Sequence, residues 1–289
     1  MARTMSSGRR SWCLPLSIAA IILIIIAIIV PLAVILPRKG HNGHKSTVIL
    51  PLYIYPDNSS SWSPLYDALE ANPDLKFTVI VNPSSGPGSS TYPDDDYSAA
   101  LLTLSTYSTV QTVGYVRTGY ATRNISTILS EISRYAGWAT KSSAFAMQGI
   151  FFDEAPHEYS STAVDYMRTI NEAVKNATGL QGERTVIHNP GTIPDTRYND
   201  TKTDITVVFE DTYEAYQSKV ASLSALPKHR SNYSYMINSV PSGMSVSSLR
   251  KFVDRLSRHA KYLLITDNEE GYYESFGSDW ANFTSVVPR

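Results

Sequence analysis

Beyond residue 46 the chain repeats one pattern of apolar and polar positions. A short run of apolar, β-branched or aromatic residues ends in polar side chains, and a longer stretch with helical spacing follows. The runs are 47–55 (TVILPLYIY), 77–82 (FTVIVN), 111–117 (QTVGYVR), 149–153 (GIFFD), 184–189 (RTVIHN), 205–210 (ITVVFE), 233–238 (YSYMIN) and 261–267 (KYLLITD). Near-continuous apolar runs of this length read as strands buried on both faces. Helical periodicity is clearest over 124–136, 161–177 and 245–260. Asn124 or Ser126 is placed to cap the first, and Ser245 or Ser247 the third. Eight such units in about 240 residues match the size of a (β/α)8 barrel. The fold class expected is therefore α/β, a TIM-type barrel over residues 47–289. A doubly wound open sheet is the alternative, but no glycine fingerprint follows the first strand. Residues 195–200 (DTRYND) carry only a weak helical pattern, so the helix after the fifth strand is expected to be short or irregular.

Ahead of the barrel, residues 14–36 (LPLSIAAIILIIIAIIVPLAVIL) hold no charge over 23 positions. A helix of that length spans roughly 35 Å, enough to cross a bilayer. A cleaved signal peptide is the competing reading. The apolar region exceeds the usual ~7–15 residues of such a peptide and lacks a small-x-small cleavage site. Residues 1–13 then form a cytosolic tail and 37–46 a polar linker. Arg3, Arg9 and Arg10 before the span balance Arg38, Lys39 and Lys45 after it, so charge does not orient it. The sequons do. Asn58, Asn124, Asn176, Asn199, Asn232 and Asn282 each begin an N-x-S/T triplet and are glycosylation candidates, which points to a lumenal or extracellular body. The expected location is the cell membrane, as a single-pass type II protein with its large domain outside. Cys13 is the only cysteine, a palmitoylation candidate beside the span, so no intrachain disulfide exists and the domain relies on its core.

Composition narrows the class further. Of 289 residues, 43% are apolar and 18% charged, with net charge −1. That is a folded globular chain without the basic face that nucleic acid requires. In a barrel of this type, chemistry sits at the C-terminal ends of the strands. The residues there are Tyr55-Pro56-Asp57, Asn82-Pro83, Tyr115 with Arg117, Asp153-Glu154, His188-Asn189-Pro190, Glu210-Asp211, Asn238 and Asp267-Asn268-Glu269. Trp62, Tyr92, Tyr120, Tyr213, Tyr216, Tyr272 and Tyr273 are assigned to the loops that follow. Aromatic faces among amides and carboxylates suit a pyranose, which presents C–H surface to cover and hydroxyls to bond. Substrate-binding candidates are Asp57, Asn82, Tyr115, Arg117, His188, Asn189, Asp211, Asn238, Asp267 and Tyr272. For His188 the competing reading is a hydrogen-bonded core histidine. Asp94-Asp95-Asp96 lacks the spacing of a calcium loop and reads as the cap of a helix from Tyr97. No metal and no cofactor is expected, and the chain is expected to act as a monomer.

The run GIFFDEAP (149–156) walks an apolar strand into two adjacent carboxylates, Asp153 and Glu154. The next helix starts near Ser160 or Ser161, too far on for either acid to cap it. Paired acids at the barrel mouth can instead hold different protonation states. Val207-Val208-Phe209-Glu210-Asp211 repeats the pattern two strands later. Backbones two strands apart lie ~10 Å from each other, so inward carboxyl groups could meet at roughly 5–7 Å. That spacing is nearer the retaining than the inverting geometry of glycosidases. For Glu210 the competing reading is an interior acid bonded to an arginine such as Arg117.

The stretches VILPLYIYPDNSSSWSPLYDAL (48–69), FTVIVNPSSGPG (77–88), VGYVRTGY (113–120) and GIFFDEAP together resemble the spherulin-4 family. Within it the chain is similar to fungal glycoside hydrolases that cleave galactosaminogalactan, endo-α-1,4-N-acetylgalactosaminidases that are often membrane-anchored. The resemblance covers residues 47–285. It implies a (β/α)8 barrel, an amino-sugar polysaccharide as partner, and acids at the strand ends that fall on Asp153, Glu154 and Glu210. Two role assignments stand. In one, Glu154 is the general acid, Glu210 the nucleophile and Asp153 orients the sugar. In the other, Asp153 holds the substrate's acetamido group as internal nucleophile and Glu154 is the acid. The alternative function is a carbohydrate-binding wall or spore-coat protein that has the barrel without the activity.

Overall fold

The computed structural model describes residues 42–227 and 229–289. The expected tail, membrane span and Cys13 lie outside the described residues, as does the first half of the linker, residues 37–41. Among the described residues no helix is long and apolar enough to cross a membrane.

Eight strands form one closed barrel in sequence order. They are β1 Thr47–Leu52, β2 Lys76–Val81, β3 Val110–Arg117, β4 Gly149–Asp153, β5 Thr185–His188, β6 Ile205–Thr212, β7 Tyr233–Asn238 and β8 Tyr262–Ile265. Every neighbouring pair is parallel, and β8 returns to β1 through Thr47–Tyr262 and Val48–Leu263. The barrel is the one that the alternation of strand and helix predicts.

The helices are α1 Ser63–Ala71, α2 Asp95–Leu104, α3 Ile125–Gly137, α4 Ser161–Asn176, α5 Tyr213–Ser224, α6 Val246–Leu256 and α7 Trp280–Val286. Their apolar stripes explain their seating. In α3, Ile128, Ile132 and Tyr135 are buried, and in α6 Leu249, Phe252, Val253 and Leu256 are. Asn124 caps α3, Ser160 caps α4 and Ser245 caps α6 through their side-chain oxygens. Asp94 accepts the Tyr97 N–H at 2.8 Å, so the acidic run does cap a helix, which begins at Asp95. After β5 only a 3-10 turn, Thr196–Tyr198, forms, as the weak DTRYND pattern implies.

Two local features set side-chain direction. Gly149 opens β4 where a Cβ would stand 2.1 Å from the Thr185 carbonyl oxygen, so only glycine admits the β4–β5 contact. In β6 the register with β7 slips between Val207 and Phe209, a bulge immediately before Glu210.

Candidate active site

The ends of β3 to β8 surround an open cleft of about 490 Å³, within the size range of ligand sites. Seven predicted residues line it: Asp153, Glu154, Asn189, Glu210, Asp211, Asn238 and Tyr272. Tyr120 and Lys219 line it as well.

The centre is one hydrogen-bonded chain. Gly114 of β3 packs under the Tyr135 ring of α3, so its neighbour Tyr115 turns into the barrel. The Tyr115 hydroxyl donates to Asp153 Oδ2 at 2.7 Å. Asn189 Nδ2 donates to Asp153 Oδ1 at 2.8 Å and to Glu210 Oε2 at 2.6 Å. The Tyr273 hydroxyl donates to Glu210 Oε1 at 2.5 Å. Both acids therefore have each oxygen engaged, and a single amide ties them together. With two hydrogens on a trigonal nitrogen, the bridged oxygens stand about 4.5–5 Å apart. Glu210 thus bonds a tyrosine and an asparagine, and no arginine. Beneath them the Tyr53 ring meets Tyr115 and Tyr273 edge-on, at 5.4 and 5.6 Å between centroids.

Burial governs the electrostatics. The Glu210 carboxyl group is enclosed even though the residue keeps some surface at the cleft. Enclosure raises its pKa, the Asp153 charge adds to that, and the bonds from Tyr273 and Asn189 oppose it. Burial first, then the nearby carboxylates, drives the pKa of Tyr53, Tyr115 and Tyr273 above the ordinary phenol value, so all three stay neutral, and Tyr115 and Tyr273 serve as donors. Glu154 is placed differently. Its side chain, 32% exposed, stands 3.6 Å from Arg117 at the rim. Its backbone has φ +49°, and its carbonyl accepts from the Tyr120 N–H at 2.7 Å and the Thr118 hydroxyl at 2.7 Å.

Four predicted site residues do not reach the cleft. His188 faces the helix layer, because the period of two that turns Asn189 inward turns its neighbour outward. It is buried, bonds Asn171 of α4 at 2.8 Å and packs on Phe152; burial lowers its pKa to about 4. Asn82 closes its own turn by accepting the Gly86 N–H at 2.9 Å. Asp57 accepts from Asn58 at 2.7 Å and from the Ser61 hydroxyl at 2.5 Å. Asp267 holds the chain ahead of α7 through the Ser278 hydroxyl and the Asp279 N–H. Short polar side chains after a strand satisfy local backbone first. Several predicted loop aromatics are structural too. Trp62 is buried and donates to the Ile54 carbonyl, while Tyr213 and Tyr216 lie in α5 against Phe252.

Two residues of this centre are not among the substrate-binding candidates of the sequence: Tyr53, and Tyr273, whose neighbour Tyr272 is. In the sequence Tyr53 reads as part of an apolar strand, which ends one residue earlier, at Leu52. The available signal was a polar-tipped aromatic at the strand end beside the other inward tyrosines. Among the described residues no group of three or more His, Cys, Asp or Glu side chains could hold a metal ion.

A sequence profile of the Spherulation-specific family 4 matches residues 47–287. Spherulin-4 of Physarum polycephalum is 31% identical over 212 residues, which is 72% of this chain and 59% of that protein. The match thus spans about three-fifths of that relative's length. The crystal structure of Aspergillus clavatus Sph3 in complex with GalNAc superposes with a TM-score of 0.82 at 40% identity, covering 86% of this chain and 99% of that one. With the profile spanning nearly the whole barrel, this chain belongs to the Spherulation-specific family 4.

Proposed function

We propose that the barrel is a glycoside hydrolase that cleaves α-1,4-linked N-acetylgalactosamine in an exopolysaccharide of the galactosaminogalactan type, with retention of anomeric configuration. The observation that carries the reading is the single Asn189 amide holding Asp153 and Glu210 face to face over the cleft. Two carboxyl groups about 5 Å apart, in unlike surroundings, are what a retaining glycosidase requires. The GalNAc bound to Sph3, at 40% identity, supports the sugar class.

The proton donor must be protonated near neutral pH. Both assignments drawn from the sequence give that role to Glu154, yet Glu210 is the acid whose charged form burial disfavours. We therefore place the proton on Glu210, where it passes to the leaving glycosidic oxygen. Asp153, held by Tyr115 and Asn189, faces the anomeric carbon directly or through the substrate's own acetamido oxygen. Water then releases the sugar and returns the proton to Glu210. Glu154 and Arg117 form the rim and bond sugar hydroxyls.

The uncharged stretch 14–36 supports anchoring in the cell membrane, and the sequons support a barrel outside it. Of the sequon asparagines, Asn58, Asn124, Asn176, Asn199 and Asn232 are exposed and Asn282 is half-buried, which supports glycosylation of the outer domain.

A reducing-end assay on purified protein with galactosaminogalactan, beside Glu210→Gln, tests the reading, and NMR of the first product reports its anomer. Cleavage with retention is expected. Binding without cleavage by the wild type would establish the carbohydrate-binding alternative instead.

A further inference from the structure

Gly119, Tyr120 and Ala121 follow β3 with φ of +60°, +55° and +65°. Three successive left-handed residues, two of them with side chains, are an unfavourable backbone that persists only where the surroundings fix it. Here they do. The Tyr120 N–H donates to the Glu154 carbonyl at 2.7 Å, and the Thr122 N–H to Gly119 at 3.0 Å. Glu154 is itself left-handed, so two strained segments brace each other across the tops of β3 and β4.

The strain presents one side chain. Tyr120 is 58% exposed and lines the same cleft as Asp153 and Glu154. An exposed tyrosine alone is ordinary. An exposed tyrosine on a backbone that glycine would adopt freely, beside the acids, calls for a reason that stability does not supply. Tyr272 lines the cleft from the β8 side, so the two rings flank the carboxyl groups.

We infer that Tyr120 is a stacking platform for a second sugar of the chain, one or more units from the bond that breaks. The ligand class is a galacto-configured pyranose. Its axial O4 leaves C3–H, C4–H and C5–H on one face, an apolar patch that a phenol ring covers. This subsite rests on the glycosidase reading and extends it: it requires a polymer laid along the cleft toward β3.

Calorimetry on the Glu210→Gln protein with α-1,4-linked GalNAc trisaccharide and hexasaccharide tests the inference, with Tyr120→Gly and Tyr120→Phe added to that background. Tyr120→Gly is expected to raise the hexasaccharide Kd about three- to tenfold, and the trisaccharide Kd by less. Tyr120→Phe, which keeps the ring, should bind within twofold of its parent. The glycine variant should melt no lower than its parent, since glycine relieves the left-handed φ. An equal effect on both ligands, no effect, a phenylalanine variant as weak as glycine, or a glycine variant of lower Tm would each overturn the platform. Wild-type protein that cleaves neither oligosaccharide would overturn the hydrolase reading, and the platform with it. Cleavage by the wild type with no Tyr120 effect would sink the platform alone.

Discussion

The Tyr273 hydroxyl donates to Glu210 Oε1 across 2.5 Å. This bond favours the charged carboxylate and so works against the burial that raises the Glu210 pKa. Removing it in Tyr273→Phe raises the Glu210 pKa further. If Glu210 is the proton donor, activity falls as pH rises through its pKa. The basic limb of the kcat/KM profile should therefore move to higher pH in this variant. A limb that stays in place, or moves down, would take the proton away from Glu210.

Glu210→Gln should lower kcat by about 10²–10⁴-fold, the usual worth of a positioned acid. Its Tm should hold, because an amide of the same shape replaces a buried carboxyl group. Glu154→Gln should raise KM more than it lowers kcat, since its side chain sits at the rim beside Arg117. Steady-state kinetics on both variants separates them. If Glu154→Gln instead abolishes the basic limb, the sequence-derived assignment of the acid stands.

His188 links stability to pH. Its folded pKa is lowered to about 4 by burial, from 6.5. The neutral form is therefore the one the fold prefers. The contribution is fully present above about 6.5 and is lost as pH falls toward 4, by about 3 kcal/mol in all. Urea unfolding at pH 7 and pH 4.5 should show a smaller difference for His188→Gln than for wild type. An equal difference would mean that other groups carry the acid sensitivity.

Gly149→Ala should cost about 3 kcal/mol or more. Its Cβ would meet backbone atoms of Thr185, which cannot swing aside as a side chain could. Urea denaturation or loss of soluble protein reads this out. A variant of wild-type stability would mean that the β4–β5 contact is looser than described.

Much of this was legible in the sequence. The limits of β4 and β7 follow directly from the apolar run and the polar residue that ends it. The β1 run extends three residues past its strand, because Tyr53-Ile54-Tyr55 keeps an apolar composition after ladder bonding stops at Leu52. Asp153, Asn189 and Glu210 were found because barrel geometry assigns strand ends to the mouth. What composition could not supply was direction. His188 and Asn189 are adjacent and equally polar, and only the phase of β5 sends one to the helices and the other to the cleft. Asn82, Asp57 and Asp267 are polar strand-end residues as well, but each has a backbone or side-chain partner within its own loop. Tyr272 and Tyr273 differ by one position in a segment with no period to fix either.

The slip in β6 between Val207 and Phe209 has a final consequence for this chain. Above it, Glu210 is held opposite Met236 of β7. With the same residues paired evenly from Val207 upward, Val208 would meet Tyr235, Phe209 would meet Met236, and Glu210 would meet Ile237, one step out of phase. The carboxylate would then swing round to the helices. A perfectly regular β6 would be a better strand and an empty mouth.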